Sequence, residues 1–272
     1  ADVGKFLRTK RVREGLIHIA RLLFLYFSYY TGFCCQLQAD GSLSAAFVIQ
    51  YDKHNAGRGK RMETAERVAG IIAALKEEYP DPVCALQYRK DYELMIAVRL
   101  SAQCTDARVN LVTPALFARY PTLDAFAEAD VAEVETYVHS CGFYKHKAED
   151  IVLACRMLRD EYGGKVPDTM DALLRLPGVG RKTANLLLGD IYKRPGSVVC
   201  DTHCIRICNL LGLASGKEPA KVEQQLRAIL PPEESSDFCH RMVLHGRAVC
   251  AARKPACDRC CLAPYCKSFS GS

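Results

Sequence analysis

From residue 62 onward the chain returns apolar residues every three or four positions. Val68, Ile71, Ile72 and Leu75 share that spacing and predict a helix with one buried face, ending near Tyr79-Pro80. Residues 91–101 predict a second helix, and Leu94, Ile96, Ala97, Val98 and Leu100 make it mostly buried. A third is predicted over 109–119. Short helices follow over 124–127 and 131–140, with Asp124 and Asp130 placed to cap their free N–H groups. A long helix over 145–162 stops at Gly163-Gly164. Further helical segments are predicted over 170–175, over 181–192 and after Asp201. No stretch alternates at period two for long enough to suggest a strand. The pattern predicts an all-α chain of about ten helices, with no internal repeat and no low-complexity tract.

Residues 1–61 have a different texture. Residues 5–13 are basic, 22–35 are apolar and aromatic, and 39–61 are polar with no clear period. The apolar run is shorter than the ~20 residues of a membrane span, and Arg21 borders it. The expectation is that the functional protein begins at Met62 and that 1–61 is an extension outside the fold. The alternative is a membrane-associating leader. Charge supports the division. Residues 1–61 hold ten Lys/Arg and four Asp/Glu, whereas 62–272 hold 27 of each, so the net +6 belongs to the extension. Any nucleic-acid binding by the main body must come from a local patch.

Within that body one stretch breaks the helical pattern sharply: Leu176-Pro177-Gly178-Val179-Gly180-Arg181-Lys182-Thr183. Pro177 cannot continue a helix interior, and glycines at 178 and 180 permit positive φ and close backbone approach. The stretch predicts helix, tight hairpin, helix. The second helix starts near Arg181, with free N–H groups turned toward the hairpin, which is an anion site. An ordinary αα-corner would use the same glycines for the turn alone.

Fifteen cysteines are many for such a chain. Most, such as Cys84, Cys104, Cys155 and Cys208, sit singly in apolar helical runs and read as small buried hydrophobes. Only Cys250-x6-Cys257-x2-Cys260-x5-Cys266 has ligand-like spacing. Four thiolates so spaced suit a cubane cluster, with tetrahedral zinc as the rival. Cys261 offers an alternative register. The loop between the first two ligands carries Arg253 and Lys254, cations suited to a phosphate. This cysteine usage fits a reducing cytoplasm rather than an extracellular disulfide framework.

The hairpin with Lys182, the downstream Val199-Cys200-Asp201-Thr202-His203, and the four cysteines occur in one order. Together they resemble the endonuclease III family of helix-hairpin-helix DNA glycosylases, over residues 62–267. The resemblance implies a two-domain fold: a six-helix domain over 84–194, and an iron–sulfur cluster domain combining 62–83 with 195–272. DNA would lie in the cleft between them, touched by Gly178, Val179, Gly180 and Arg181 of the hairpin and by Arg253 and Lys254. A [4Fe–4S] cluster on Cys250, Cys257, Cys260 and Cys266 is implied as a structural cofactor.

The resemblance makes Lys182 and Asp201 the catalytic pair. A neutral lysine amine can attack the C1′ of a damaged nucleotide, displace the base and form a Schiff base. The imine acidifies the C2′ proton, so β-elimination cuts the strand. At an ordinary pKa only roughly 1 lysine in 2500 is neutral at pH 7. A helix N-terminus contributes about 0.3–1 kcal/mol, under one pKa unit. Desolvation on DNA and the neighbouring Arg181 charge would have to supply the rest. A solvent-facing or phosphate-binding lysine is the alternative. Asp201 precedes a helix and can be its N-cap. Capping N–H groups favour the carboxylate form, which would stabilise the cationic sugar as the base leaves.

The target base must leave the duplex. Leu100-Ser101-Ala102-Gln103-Cys104-Thr105-Asp106 matches the family segment whose glutamine enters the gap, and Gly142-Phe143-Tyr144 matches a loop whose apolar residue wedges the opposite strand. Position in the sequence alone would make Gln103 a surface residue and Phe143 a core residue. The implied function is a bifunctional glycosylase and abasic-site lyase of base excision repair acting on oxidised pyrimidines. The implied setting is a cytoplasmic, nucleoid-associated monomer on damaged or abasic double-stranded DNA, with no stable membrane partner. A hydrolytic glycosylase of other specificity and a catalytically silent iron–sulfur DNA-binding protein are the alternatives.

Overall fold

A computed structural model describes residues 56–269, with side chains described from residue 64. The expectations for residues 1–55 lie outside the described residues, while 56–61 open the first helix. Among the described residues there are helices and turns but no strand. The helices are α1 (Ala56–Glu78), α2 (Asp91–Ser101), α3 (Asp106–Arg119), α4 (Leu123–Ala127), α5 (Val131–Val138), α6 (Tyr144–Glu161), α7 (Met170–Leu174), α8 (Arg181–Asp190), α9 (Thr202–Leu211), α10 (Pro219–Arg227) and α11 (Ser235–Ala248). No described helix is long and apolar enough to cross a membrane.

The periodic positions form the core. Val68, Ile71 and Leu75 of α1 are buried, as are Leu94, Ile96 and Leu100 of α2. Helix α2 packs on α3, α6 and α8, while α4 and α5 cover α6 and α9 lies along α11. Helix α1 is fastened to the C-terminal segment: Arg67 donates to the Leu211 carbonyl and, at 2.6 Å, to that of Tyr265. Gly70 lets the Tyr265 ring lie against α1, because a Cβ there would fall 2.6 Å from the Tyr265 hydroxyl.

Some helix starts carry a side-chain cap and others do not. Thr105, Thr122, Asp130 and Thr169 each accept a backbone N–H of the first turn. Asp124 therefore does not cap α4 as expected. Thr122 takes that place and Asp124 sits in the first turn, where its charge complements the helix dipole. Likewise α3 starts at Asp106 behind its Thr105 cap, three residues before the apolar pattern begins. Helix α6 ends as predicted: Gly164, with φ +79°, donates to the Leu158 carbonyl at 2.8 Å.

Candidate DNA interface and active site

The hairpin is anchored from inside. Leu176 and Val179 are buried, and the Val179 N–H donates to the Leu176 carbonyl at 3.1 Å. Val179 thus offers a partner its backbone, not its side chain. Of the two glycines only Gly178 needs to be glycine for the turn, with φ +72°. A Cβ there would fall 2.5 Å from Arg99 Nε and 2.8 Å from Asp150 Oδ2. Those two residues form an ion pair directly under the turn, Nε to Oδ2 at 2.7 Å. Gly180 has ordinary φ −95°, and a Cβ would meet nothing within 4 Å.

Gly180 is the N-cap of α8 and supplies no side-chain acceptor, and the first turn holds no acidic residue. The free N–H groups and the positive end of the dipole are left for an outside anion. Arg181 turns its guanidinium onto Glu223 of α10 with two bonds of 2.7 and 2.8 Å. Glu223 is almost wholly buried and also holds Arg227 at 3.0 Å. The Arg181 charge beside Lys182 is therefore compensated by a carboxylate. Lys182 is exposed and, among the described residues, has no hydrogen bond or ion pair.

Asp201 is the N-cap of α9: its Oδ1 accepts the Cys204 N–H at 2.7 Å. Helix α8, which carries Lys182 in its first turn, and α9, capped by Asp201, both pack on α11. Gly189 permits the close approach of α8, since a Cβ would fall 2.5 Å from Ser236 Oγ. His240 of α11 adds a 2.7 Å contact to Asp190. Beside Asp201, burial lowers the pKa of His203, against the pull of the Asp201 charge. The His203 ring lies so close to Gly246 that a Cβ at 246 would overlap it. Arg206 reaches from His203, at 3.5 Å, to the Cys250 carbonyl at 2.5 Å, joining the aspartate helix to the cysteine loop.

Gln103 and Phe143 are exposed, Phe143 by 64%, although its place in the sequence alone suggested the core. Both have left-handed backbone, φ 53° and 58°. Their loops touch: a Cβ at Gly142 would lie 3.6 Å from the Gln103 carbonyl oxygen. Lys147, buried in α6, bridges them by donating to the carbonyls of Leu100 and Ala102 at 2.8 and 2.7 Å. Burial lowers its pKa. The sequence reading did not single out Lys147. Its signal is a lysine four residues before Ile151 on an apolar stripe. Arg247 of α11 also reaches Asp106 at 2.6 Å, just past the Gln103 loop.

Arg253 and Lys254 are exposed and, among the described residues, unpaired. Their loop closes through Ala256 N–H to the Val249 carbonyl at 2.9 Å. Burial raises the Cys260 thiol, and the charges of Cys250, Cys257 and Cys266 add to the rise. Cys250 likewise feels Cys257 and Cys266. Cys260 and Cys261 both lie near His245, Cys260 Sγ at 3.4 Å from Nε2 and Cys261 Sγ at 4.0 Å from Nδ1, and Cys261, with Cys260, Glu78 and Glu77 near, is pushed up to about 11, chiefly by burial. Four thiols that repel one another as anions fit a cationic centre that neutralises them. Among the described residues no three His, Cys, Asp or Glu side chains are gathered closely enough for a single metal ion.

A family model described as "HhH-GPD superfamily base excision DNA repair protein" matches residues 96–232. The chain is 44% identical over 213 residues to the Endonuclease III of Synechocystis sp., covering 78% of this chain and 97% of that one. It is similar to a solved non-covalent Endonuclease III–DNA complex at 40% identity and TM-score 0.70, covering 75% of this chain and 95% of that one. A trapped Endonuclease III–DNA covalent intermediate is similar at 41% identity and TM-score 0.68, covering 72% and 92%.

Proposed function

The chain belongs to the endonuclease III family within the HhH-GPD superfamily of base excision DNA repair proteins, and from that premise we propose which residues carry its DNA glycosylase and abasic-site lyase activity. Lys182 is the nucleophile. Its amine attacks C1′ of a flipped, damaged nucleotide, the base departs, and the resulting Schiff base allows β-elimination of the 3′ phosphate. Asp201, fixed by its cap to α9, faces the positive charge that develops on the sugar. The open first turn of α8 and the hairpin backbone at Gly178, Val179 and Gly180 hold a phosphate, with Arg181 contributing its backbone N–H.

Gln103 fills the space of the extruded base and Phe143 wedges the opposite strand. Arg253 and Lys254 contact phosphate, a contribution that salt weakens. Cys250, Cys257, Cys260 and Cys266 hold a [4Fe–4S] cluster, whose part is to clamp the loop that presents those cations. The six-helix part over 84–194 and the part formed by 62–83 with 195–272 flank the DNA. The substrate is double-stranded DNA with an oxidised pyrimidine or an abasic site, and the protein acts as a monomer in the cytoplasm.

One observation carries this assignment. Lys182 is an exposed amine without a partner among the described residues, in an uncapped first helical turn after a glycine hairpin, in a chain 41% identical to a protein solved as a trapped covalent DNA intermediate. Borohydride reduction in the presence of abasic DNA tests it. Lys182→Ala is expected to bind the DNA and lose the covalent adduct. An adduct at wild-type level in that variant rejects Lys182 as the nucleophile.

A further inference from the structure

The two loops assigned to the plug and the wedge share a feature that the repair chemistry does not use. Each carries a cysteine beside its left-handed residue: Cys104 follows Gln103, and Cys141 lies two residues before Phe143. Cys104 acts on the Cys141 thiol both as a charge and as a side-chain hydrogen-bond partner. The backbones that carry them also come near each other. The Gln103 carbonyl, part of the peptide leading into Cys104, is 3.6 Å from where a Gly142 Cβ would stand. Lys147 pins the Gln103 side of this contact through Leu100 and Ala102, and its ammonium lies close enough to both thiols for their charges to act on it. Cys104 is half-buried, whereas Cys141 is fully buried.

We propose that Cys104 and Cys141 are a reversible disulfide site that ties the plug loop to the wedge loop, with a low-molecular-weight disulfide such as oxidised glutathione as oxidant. Its consequence for DNA binding rests on the roles given above to Gln103 and Phe143. The half-buried Cys104 thiolate attacks one sulfur of the oxidant, forming a mixed disulfide and releasing one glutathione thiolate. The Cys141 thiolate then attacks the Cys104 sulfur, forming the internal bond and releasing the second glutathione. The two protein thiols are oxidised, the oxidant is reduced to two thiols, and the two protons lost by the cysteines end on them.

The order follows from the surroundings. Burial and Cys104 push the Cys141 thiol up to about 11, while Lys147 and Arg108 pull it down. Once Cys104 is in a mixed disulfide it no longer carries the thiolate charge that opposes Cys141, and the two cations favour the attacking anion. Closure draws two non-bonded sulfurs to bonding distance and so shifts the loops from the geometry in which Lys147 holds them. The tied form therefore engages damaged DNA more weakly.

The test treats the purified, cluster-loaded protein with oxidised glutathione, alkylates the remaining thiols, and maps peptides without reduction. The expected product is a peptide pair joined through Cys104 and Cys141, lost on adding dithiothreitol and absent from Cys104→Ser. Binding to a duplex with an abasic-site analogue should fall in the linked wild type, recover on reduction, and stay constant through the same treatment in Cys104→Ser. Glutathione persisting on Cys104 with Cys141 still alkylatable would overturn the site. Unchanged affinity in the linked protein would overturn its effect on the loops. Borohydride trapping on the reduced protein separates the causes: normal trapping without a link faults this proposal, whereas absent trapping faults the reading of the active site.

Discussion

The hairpin glycines should fail for different reasons when replaced by alanine. At Gly178 the chain has φ +72°, a region that costs an L-residue about 1–2 kcal/mol. The new Cβ would also stand 2.5 Å from Arg99 Nε and 2.8 Å from Asp150 Oδ2, so the ion pair must move. Those side chains are 21% and 25% exposed, which leaves the pair only partly screened. Weakening one charge-assisted hydrogen bond there costs about 1–2 kcal/mol. Gly178→Ala should therefore lose about 3 kcal/mol, or roughly 6–12 °C in Tm for a domain of this size. Gly180→Ala meets open space at an ordinary φ, and alanine at an N-cap costs at most about 1 kcal/mol. Its penalty should appear in DNA affinity, about tenfold or 1.4 kcal/mol, because the methyl stands where a phosphate would approach. Calorimetry and binding to an abasic-analogue duplex read the two quantities. Adding Arg99→Ala to Gly178→Ala should restore about 1 kcal/mol relative to additivity. Equal thermal losses at both glycines, or wild-type DNA binding by Gly180→Ala, would refute the division between a structural and a DNA-facing glycine.

Three further outcomes follow from named contacts. On the proposed cluster, Cys260→Ser should lose the bound iron, whereas Cys261→Ser should keep it, because the charges of Cys250, Cys257 and Cys266 act on Cys260 while those of Cys260, Glu78 and Glu77 act on Cys261; iron analysis showing the reverse would exchange the ligands. Lys147→Met leaves the Leu100 and Ala102 carbonyls without their donor and should destabilise by about 2 kcal/mol in chemical denaturation, and an unchanged midpoint would show that the bridge is idle. His203 is held below its ordinary pKa by burial, so the folded state keeps it neutral while the unfolded chain takes up a proton near pH 6.5. Its share of stability is present above about 6.5 and is lost as pH falls through the folded value. His203→Gln should flatten the fall in Tm between about pH 7 and 5, and an identical slope would exclude His203 as a contributor.

The legible parts of the chain are those where one periodic signal meets no competitor. Helices α2 and α6 match their predicted bounds within a residue, because α2 has apolar residues nearly throughout and Gly163-Gly164 punctuates the end of α6. The start of α3 was placed three residues late. The apolar rhythm begins at Val109, but the helix is set by a Thr105 hydroxyl that periodicity does not register. Asp124 lost the cap of α4 to Thr122 because several polar residues near a helix start can all cap it, and only the backbone decides. The site divides in the same way. The glycine hairpin and the cysteine spacing are local and visible. The Glu223 clamp on Arg181 joins residues 42 apart, and the bridge from Lys147 to Leu100 spans 47, so neither leaves a local trace.

On the roles proposed for Gln103 and Phe143, their left-handed backbone fits loops built for a partner, while the exposed Lys193 is a third left-handed residue outside both loops. Gln103 and Phe143 each adopt a backbone costing an L-residue about 1–2 kcal/mol, and neither recovers it by packing, since both side chains face solvent. The support beneath them adds to the cost, because a lysine amine is held in the interior with burial opposing its charge. An αα-corner would require none of this: glycines at 103 and 143 would remove the strain, and a methionine at 147 the buried charge. The arrangement makes sense if the return comes on binding. Extruding a nucleotide costs a few kcal/mol of lost stacking and pairing. Loops already held in the entering geometry spend none of the binding energy on their own ordering. Strain in the free protein and base extrusion in the complex are then two sides of one free-energy balance, with Lys147 as the residue that keeps the first available for the second.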